Sequence, residues 1–226
     1  MGELAASIAH EINQPMGAIL SNVDAAETLL GEPRLRRDAL QEILTDIRSD
    51  DLRAAEIVRH IRALANKRDI EVEHFALNAL VESVIRLAKP TARMRSMTIR
   101  TELGEVSNVI GDQIHVQQVL LNLLFNAMDA MRDTRVNARI VTVTTAVQEQ
   151  GMVRVSVRDR GLGIPPGELL RIFESFFTTK PDGMGLGLSI SRSLVMAHGG
   201  QIWAENNADG GATVSFTIPS GADKKA

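Results

Sequence analysis

A histidine near the start of the chain lies on the polar side of a predicted helix. An α-helix turns by about 100° per residue, which places His10 about 240° from Leu4 and opposite the apolar stripe that Leu4 begins. An exposed imidazole is a competent nucleophile when a carboxylate can accept its other ring proton, and Glu11 is the adjacent acid. Gln14, one turn on, shares this face and could orient a water molecule. Pro15 costs about 3 kcal/mol inside a helix, which favours a local purpose over the alternative of an ordinary solvated histidine.

A second group of polar side chains lies on an otherwise apolar helix predicted over Ile114–Met131. Asn122 and Asn126 are one turn apart, and Asp129 follows three residues later, so the three are neighbours on the helix surface. Amides are poor helix formers and must find partners when buried. The pattern favours either a face that binds phosphate and Mg²⁺, which takes oxygen ligands, or a buried amide network.

An acidic residue ends a strand predicted over residues 152–158. Asp159 is followed by Gly161 and Gly163. A carboxylate there can accept hydrogen bonds from an exocyclic amine such as that of adenine, and the glycines let a flat ring approach the backbone. The alternative is an ordinary glycine-rich turn.

Residues 159–185 are rich in glycine and proline, and they predict a loop long enough to act as a mobile lid. Lys180 supplies a cation for a phosphate in a closed lid. Around Leu186, at the start of the next predicted helix, glycines would expose backbone N–H groups suited to phosphate: Gly183, Gly185 and Gly187. Their spacing is neither a Rossmann nor a Walker pattern. Three phenylalanines are expected to pack the loop onto the core: Phe173, Phe176 and Phe177.

Two long amphipathic helices must position the histidine. Residues 4–30 and 35–67 each place their apolar residues within an arc of about 100°. Gly31, Glu32 and Pro33 stop the first helix, so the two form an antiparallel hairpin. Two helices cannot enclose a core, and we expect the hairpin to pair with a second copy as a four-helix bundle.

After residue 70 strands and helices mix, which predicts an α+β fold with helices on one face of a sheet. Helices are predicted over residues 78–88, 114–131 and 186–197. Strands are predicted over residues 97–102, 109–110, 140–147, 152–158, 201–205 and 212–218.

Composition excludes several classes of protein. The 226 residues carry 25 Lys+Arg against 28 Asp+Glu, a net charge of −3, so we expect no nucleic-acid partner and no direct membrane contact. The absence of cysteine excludes a disulfide scaffold, a thiolate nucleophile and a cysteine-bound metal. No apolar run approaches the length of a membrane span. The chain begins in helical pattern, which indicates a piece of a longer protein.

Together the motifs resemble those of the two-component sensor histidine kinases, over about residues 1–219. The sequences HEINQP from His10, NLLFNA from Asn122 and DRGLG from Asp159, the Phe173–Phe177 segment and the Gly183–Gly187 segment resemble the H, N, G1, F and G2 boxes, in that order. The resemblance implies a dimerisation and phosphotransfer hairpin at residues 1–69. It also implies a catalytic domain at residues 70–226 with the Bergerat fold of GHKL-type ATP-binding domains and an ATP lid. The linker near residues 67–72 is then expected to act as a hinge.

The resemblance also implies roles for individual residues. His10 would be the phosphoacceptor and Glu11 the base that polarises it. Asn126 would be the Mg²⁺ ligand, with Asn122 near the phosphates, and Asp159 the adenine acceptor. The pocket and lid would be shaped by Lys180, Leu186 and the glycines Gly161, Gly163, Gly183, Gly185 and Gly187. Many relatives carry Asn or Thr four residues after the histidine where this chain has Gln14, which leaves phosphatase activity open.

The expected cofactors are ATP and Mg²⁺, and the expected partners are a second copy of the chain and the receiver domain of a response regulator. We expect a cytoplasmic location for this segment, with membrane anchoring of the full-length protein open. Two alternatives share the ATP fold: another GHKL ATPase or serine kinase, and a non-catalytic dimeric pseudokinase.

Overall fold

A computed structural model describes residues 2–31, 36–65, 71–180 and 185–221 of the chain. Two compact units are present, residues 1–67 and 68–226. Some of the predicted features lie outside the described residues: the loop residues Glu32 and Pro33, residues 67–70 of the linker, and Gly183.

The first unit is a pair of helices, as the periodicity predicts. α1 spans Gly2–Leu30 and α2 spans Arg37–Ala65, and the two pack against each other. α1 continues through Pro15. Among the side chains of α1 and α2 that the structure describes, Pro15 alone is buried, whereas Leu30 is 62% exposed and Leu44 56% exposed. The apolar stripes are therefore not covered within one chain.

The second unit alternates strands and helices. Its elements in chain order are β1 (Glu73–Phe75), α3 (Leu77–Met94), β2 (Thr98–Leu103), β3 (Val109–Gly111), α4 (Gln113–Ala130), β4 (Ile140–Gln148), β5 (Met152–Arg158), α5 (Gly187–Ala197), β6 (Ile202–Asn206) and β7 (Ala212–Pro219). Short 3₁₀ helices lie at Val136–Ala138, Glu149–Gly151, Pro166–Glu168 and Arg171–Phe173.

Five strands form one sheet in the order β2-β4-β5-β7-β6. The β2–β4 pair is parallel, and the other neighbours are antiparallel. β1 and β3 form a separate antiparallel pair. A helical hairpin followed by a mixed α/β unit confirms the predicted fold class.

The core of the second unit lies between the sheet and the helices. Alternate residues of β4 and β5 are fully buried, as the period of two requires, including Val143 and Val155. Val84 of α3 and both Leu124 and Met128 of α4 are also fully buried. Each such side chain contributes about 1.5–3 kcal/mol through removal of apolar surface from water. This packing fixes α4 against the sheet.

Two features differ from the sequence prediction. α3, predicted to end at residue 88, continues through Pro90 to Met94. Burial of Ala88 and Ala92 in the core offsets the loss of the backbone hydrogen bond that Pro90 cannot donate. β1 was not predicted, because a three-residue strand with a single buried side chain, Phe75, has no readable alternation.

Among the helices that the structure describes, none combines the length and the apolarity that crossing a bilayer demands.

A core substitution in α4 tests this packing. Leu124→Ala should lower the free energy of unfolding by about 2–5 kcal/mol, because a fully buried leucine leaves a cavity. Urea unfolding of the full chain, followed by the fluorescence of Trp203, the single tryptophan and a residue of β6, measures this directly. The matched control is Leu87→Ala in α3, where the side chain is 58% exposed and a much smaller loss is expected. Equal losses would contradict the described core.

Candidate functional site

A buried carboxylate lies immediately after β5. Asp159 is 5% exposed, and its Oδ1 accepts hydrogen bonds from the backbone N–H of Gly161 (2.8 Å) and of Ala212 (3.2 Å). Burial raises the pKa of Asp159, and these two N–H donors oppose that rise only in part. Within the described residues Oδ2 has no hydrogen-bond partner. Asp159 therefore presents one oxygen that can accept a hydrogen bond from an amine.

Glycines allow the backbone to close around this carboxylate. A Cβ on Gly161 would lie 2.3 Å from the carbonyl oxygen of Ala130, and one on Gly211 would lie 2.3 Å from that of Asp159. Backbone atoms cannot yield to such contacts, so both positions require glycine. Asn207 Nδ2 also donates to the Asp159 carbonyl oxygen at 3.2 Å. The β6–β7 turn thus holds the Asp159 segment.

The segment that follows Asp159 is held in place by the amide side chain of Asn206. Asn206 Oδ1 accepts from the Ile164 backbone N–H at 2.8 Å, and its Nδ2 donates to the Ile164 carbonyl at 2.6 Å. Gly163 has a φ of +77°, and a Cβ there would lie 2.9 Å from Asn206 Oδ1. Sequence reasoning missed Asn206, Asn207 and Gly211. Their NNADGG turn between two strands signals a hairpin but not this contact.

The first α4 amide joins α4 to α5. Asn122 Nδ2 donates to Ser191 Oγ at 2.9 Å, and Asn122 Oδ1 accepts from Asn126 Nδ2 at 3.4 Å. A Cβ on Gly187 would lie 2.5 Å from Asn122 Oδ1. Asn122 is 9% exposed and has the partners that a buried amide network predicts. It thereby fixes the first turns of α5 against α4.

The second amide faces a cation from the lid segment. Lys180 Nζ donates to Asn126 Oδ1 at 3.0 Å and to Asp129 Oδ2 at 2.6 Å. Arg95 Nη1 donates to the other carboxylate oxygen, Asp129 Oδ1, at 2.6 Å. Burial acts to raise the pKa of Asp129, but Lys180 and then Arg95 outweigh it and hold that pKa below its usual value. Asp129 is therefore ionised between two cations.

The start of α5 is well placed for an anion. α5 begins at Gly187 after the buried Leu186, and no side chain among the described residues caps it. Its first N–H groups are therefore not satisfied by a cap, and the positive end of the helix dipole lies there. Gly185 has a φ of +63°, and its carbonyl accepts from the Phe176 N–H at 3.0 Å. This bond joins the two sides of the lid.

Of the three predicted lid phenylalanines, Phe173 is buried at 7% exposure and Phe177 is half-buried. The Arg171 guanidinium carbon lies 4.5 Å from the centre of the Phe177 ring, a cation–π contact. Phe176 is 53% exposed, so the prediction that all three pack on the core is wrong for this residue.

The site residues predicted on the first unit are described less completely. His10 and Glu11 belong to α1, but their side chains lie outside the described residues. Gln14 is exposed on the same helix. The second unit brings together Asp159 with Gly161, Asn122 with Gly187, and Asn126 with Lys180.

Two oxygen donors suited to a hard cation lie close together on α4. Asn126 Oδ1 and Asp129 Oδ2 both contact the same ammonium group. Mg²⁺ takes oxygen ligands and keeps several waters or phosphate oxygens, so one or two protein oxygens suffice. Within the described residues no group of three or more His, Cys, Asp or Glu forms a metal cluster. These two α4 oxygens fit a hard cation that takes its remaining ligands from water or phosphate oxygens.

Two family models match the chain. Residues 1–70 match the His Kinase A (phospho-acceptor) domain, and residues 111–222 match the histidine kinase-, DNA gyrase B- and HSP90-like ATPase. The matches place a phosphoacceptor domain before an ATPase domain, as the motif order predicts.

Curated relatives cover nearly the whole chain. Sensor protein FixL of Bradyrhizobium diazoefficiens is 38% identical over 97% of this chain and 44% of its own length. Sensor histidine kinase TmoS of Ectopseudomonas mendocina is 33% identical over 97% of this chain and 23% of its own length. The chain thus spans less than half the length of these relatives.

Solved structures agree with the family models. The catalytic domain of histidine kinase ThkA in a nucleotide-free form is 36% identical, with a TM-score of 0.59 over 66% of this chain and 96% of that one. ThkA in complex with the response regulator protein TrrA is 31% identical, with a TM-score of 0.71 over 99% of this chain and 63% of that one. The chain therefore belongs to the two-component sensor histidine kinases and comprises their catalytic core, a phosphoacceptor helical unit followed by an ATP-binding unit of Bergerat fold.

Proposed function

We propose that this chain uses ATP to phosphorylate its own His10 and then passes the phosphoryl group to an aspartate of a response regulator. The observation that carries the proposal is the buried Asp159, one oxygen of which is held by backbone N–H groups while the other has no partner among the described residues. That arrangement recognises an amine-bearing base. It lies in the unit that matches an ATPase, and that unit follows in sequence a helix that carries a histidine and an adjacent acid.

In the proposed ATP site each group has a separate task. Asp159 Oδ2 accepts a hydrogen bond from the adenine amino group, and Gly161 and Gly163 allow the adenine ring to approach the backbone. The N–H groups at the start of α5, from Gly185 to Gly187 with Leu186 between them, bind phosphate oxygens because a helix N-terminus favours anions. Gly183 and Lys180 complete this phosphate contact from the lid, and Asn122 positions α5.

The residue proposed to hold Mg²⁺ is Asn126, through Oδ1. When bound, Mg²⁺ would neutralise the negative charge of the phosphate oxygens that the transfer develops. Support comes from the position of Lys180, whose ammonium already lies 3.0 Å from this oxygen. A cation is therefore favourable at this point of α4.

The proposed chemistry at His10 is an in-line phosphoryl transfer. A lone pair on one ring nitrogen forms a bond to the γ-phosphorus while the bond from that phosphorus to the bridging oxygen breaks, and ADP leaves with the electron pair. Glu11 accepts the proton of the other ring nitrogen, which keeps the attacking nitrogen nucleophilic. In the second transfer a carboxylate oxygen of the regulator attacks phosphorus, the phosphorus–nitrogen bond breaks, and His10 is restored. Gln14 lies one turn from His10, where it can orient a water molecule.

The proposed partners follow from the first unit. Residues 1–69 are proposed to form the dimerisation and phosphotransfer domain and residues 70–226 the catalytic domain. The exposure of Leu30 and Leu44 supports pairing with a second copy, because an uncovered apolar stripe on two helices needs a partner. The solved complex of ThkA with TrrA supports a response regulator as the acceptor. We place this segment in the cytoplasm, where such regulators act.

The two alternatives account for less of the chain. Another ATPase or serine kinase of this fold has no use for a leading helix with a His-Glu pair, and that helix matches a phosphoacceptor domain. A pseudokinase is disfavoured because Asn126, Asp159 and the described lid glycines are all present.

The first test replaces the proposed phosphoacceptor. His10→Gln should abolish phosphorylation by ATP labelled in the γ position, because glutamine has no nucleophilic ring nitrogen. The label on the unchanged protein should be lost in acid and kept in alkali, as a phosphorus–nitrogen bond requires. His74→Gln, an exposed histidine of β1, is the matched control and should label normally. Undiminished, acid-labile labelling of His10→Gln would refute His10 as the acceptor.

The second test addresses the proposed adenine contact. Asp159→Asn keeps an oxygen for the Gly161 and Ala212 N–H groups but presents an amide N–H to the adenine amine. ATP affinity should fall roughly ten- to a hundred-fold, as expected when a buried acceptor is lost. Calorimetric titration of the full chain measures it, with the exposed Asp133→Asn as control. Unchanged affinity would contradict the assigned contact.

The same variant has an expected effect on stability against pH. Because burial raises the pKa of Asp159 in the folded protein, the folded state binds more protons than the unfolded state between the two pKa values. Asp159 therefore lowers the free energy of unfolding as the pH rises from 3.8 through that interval. At higher pH the free energy of unfolding stays at the lower value. Asp159→Asn should remove this slope and raise the neutral-pH urea midpoint of the nucleotide-free protein. A lower midpoint would show that the carboxylate stabilises the fold.

A further inference from the structure

The lid lysine occupies a position built from two α4 oxygens. Lys180 Nζ lies 3.0 Å from Asn126 Oδ1 and 2.6 Å from Asp129 Oδ2. We call these two oxygens the α4 cation seat. An ammonium group has three N–H donors, and two of them are used here. The side chain is 44% exposed, so its cation lies at the surface and can leave without disturbing the core.

Asp129 also contacts a second cation, the guanidinium of Arg95. Arg95 Nη1 holds Asp129 Oδ1 at 2.6 Å, which leaves Oδ2 for the seat. Arg95 is itself restrained, since its carbonyl accepts from Arg139 Nη1 at 3.0 Å. If Lys180 departs, the Asp129 carboxylate remains paired with Arg95.

The backbone around Lys180 allows the side chain to move alone. The Lys180 N–H donates to Thr178 Oγ1 at 3.1 Å, and that hydroxyl donates to the Lys180 carbonyl at 3.4 Å. This local turn fixes the backbone, while four side-chain torsions remain to redirect the ammonium.

We propose that the α4 cation seat is an exchange site: Lys180 fills it without nucleotide, and a divalent cation takes the same oxygens when Lys180 leaves. Asp129 thereby becomes a cation-binding residue beside Asn126, and the proposal rests on the proposed function for its link to Mg²⁺ and ATP. Carboxylate and amide oxygens are the donors that hard divalent cations prefer. A lysine cation and a divalent cation cannot share two oxygens one helical turn apart, because their like charges repel at that separation.

Exchange gives Lys180 two successive partners. While the seat holds the ammonium, the lid segment is tied to α4 and the cation is neutralised. Once released, the ammonium is free to meet a phosphate oxygen. Lys180 and the divalent cation then both serve the phosphates, and neither competes with the other.

The test uses Mn²⁺ alone as the probe, with the full chain and no nucleotide. Free Mn²⁺, measured by electron paramagnetic resonance, gives the affinity. Lys180→Met should tighten Mn²⁺ binding by roughly fivefold, because the competing cation is gone. Adding Asp129→Asn to Lys180→Met should abolish the gain, whereas adding the exposed Asp133→Asn should preserve it. Lys180→Gln serves as a second variant if Lys180→Met unfolds, as judged by Trp203 fluorescence. Unchanged Mn²⁺ affinity in the folded lysine variant, or a gain that survives Asp129→Asn, would overturn the proposal.

A second measurement follows the lysine itself. Reductive methylation mapped by mass spectrometry should be slow at Lys180 in the unchanged chain and faster when Mn²⁺ is added, because the ion pair is broken. Lys89, an exposed residue of α3, is the internal control and should not respond. A Lys180 rate that ignores Mn²⁺ would also overturn the exchange. Neither readout involves His10, so failure of histidine labelling with Mn²⁺ exchange intact would count against the proposed function and leave the seat standing.

Discussion

Burial of the Asp159 carboxylate is the constraint on which the rest of the candidate ATP site depends. A charged group inside the fold is costly unless donors are fixed around it, and here the N–H groups of Gly161 and Ala212 point at one oxygen. Two chain segments must approach closely to supply them. A side chain at Gly161 or Gly211 would overlap backbone atoms. The glycines beside Asp159 and the turn before β7 are therefore consequences of placing a carboxylate at the end of β5.

The same logic connects α4 to the other half of the site. Leu124 and Met128 are fully buried against the sheet, so α4 cannot rotate without exposing them. That packing fixes the positions of its amides. Asn122 donates a hydrogen bond to Ser191 of α5, and Asn126 accepts one from Lys180. A polar group on a well-packed helix is placed more precisely than one on a loop. The core of the second unit thus determines where the oxygens of the α4 cation seat lie.

Local pattern in the sequence was enough to predict most helices and strands and the position of Asp159 at a strand end. It was not enough for contacts between segments that are far apart in the sequence. Arg95 meets Asp129 across 34 residues, and Asn207 meets Asp159 across 48. Neither pair leaves a periodic signal, since polar residues near turns are common. Lys180 was predicted to donate a hydrogen bond to a phosphate. Without a ligand, it donates instead to Asn126 and to the carboxylate of Asp129.

The two interpretations that the α4 amides left open turn out to apply to different residues. Asn122 is buried, with both ends of its amide bonded to side chains, and so behaves as part of an internal network. Asn126 donates to that network through Nδ2 and presents Oδ1 to a cation on the other side. The network keeps the Asn126 oxygen aimed outward, because rotating the amide would forfeit the bond to Asn122. A buried amide network is therefore what makes a cation-facing oxygen possible one turn further along the helix.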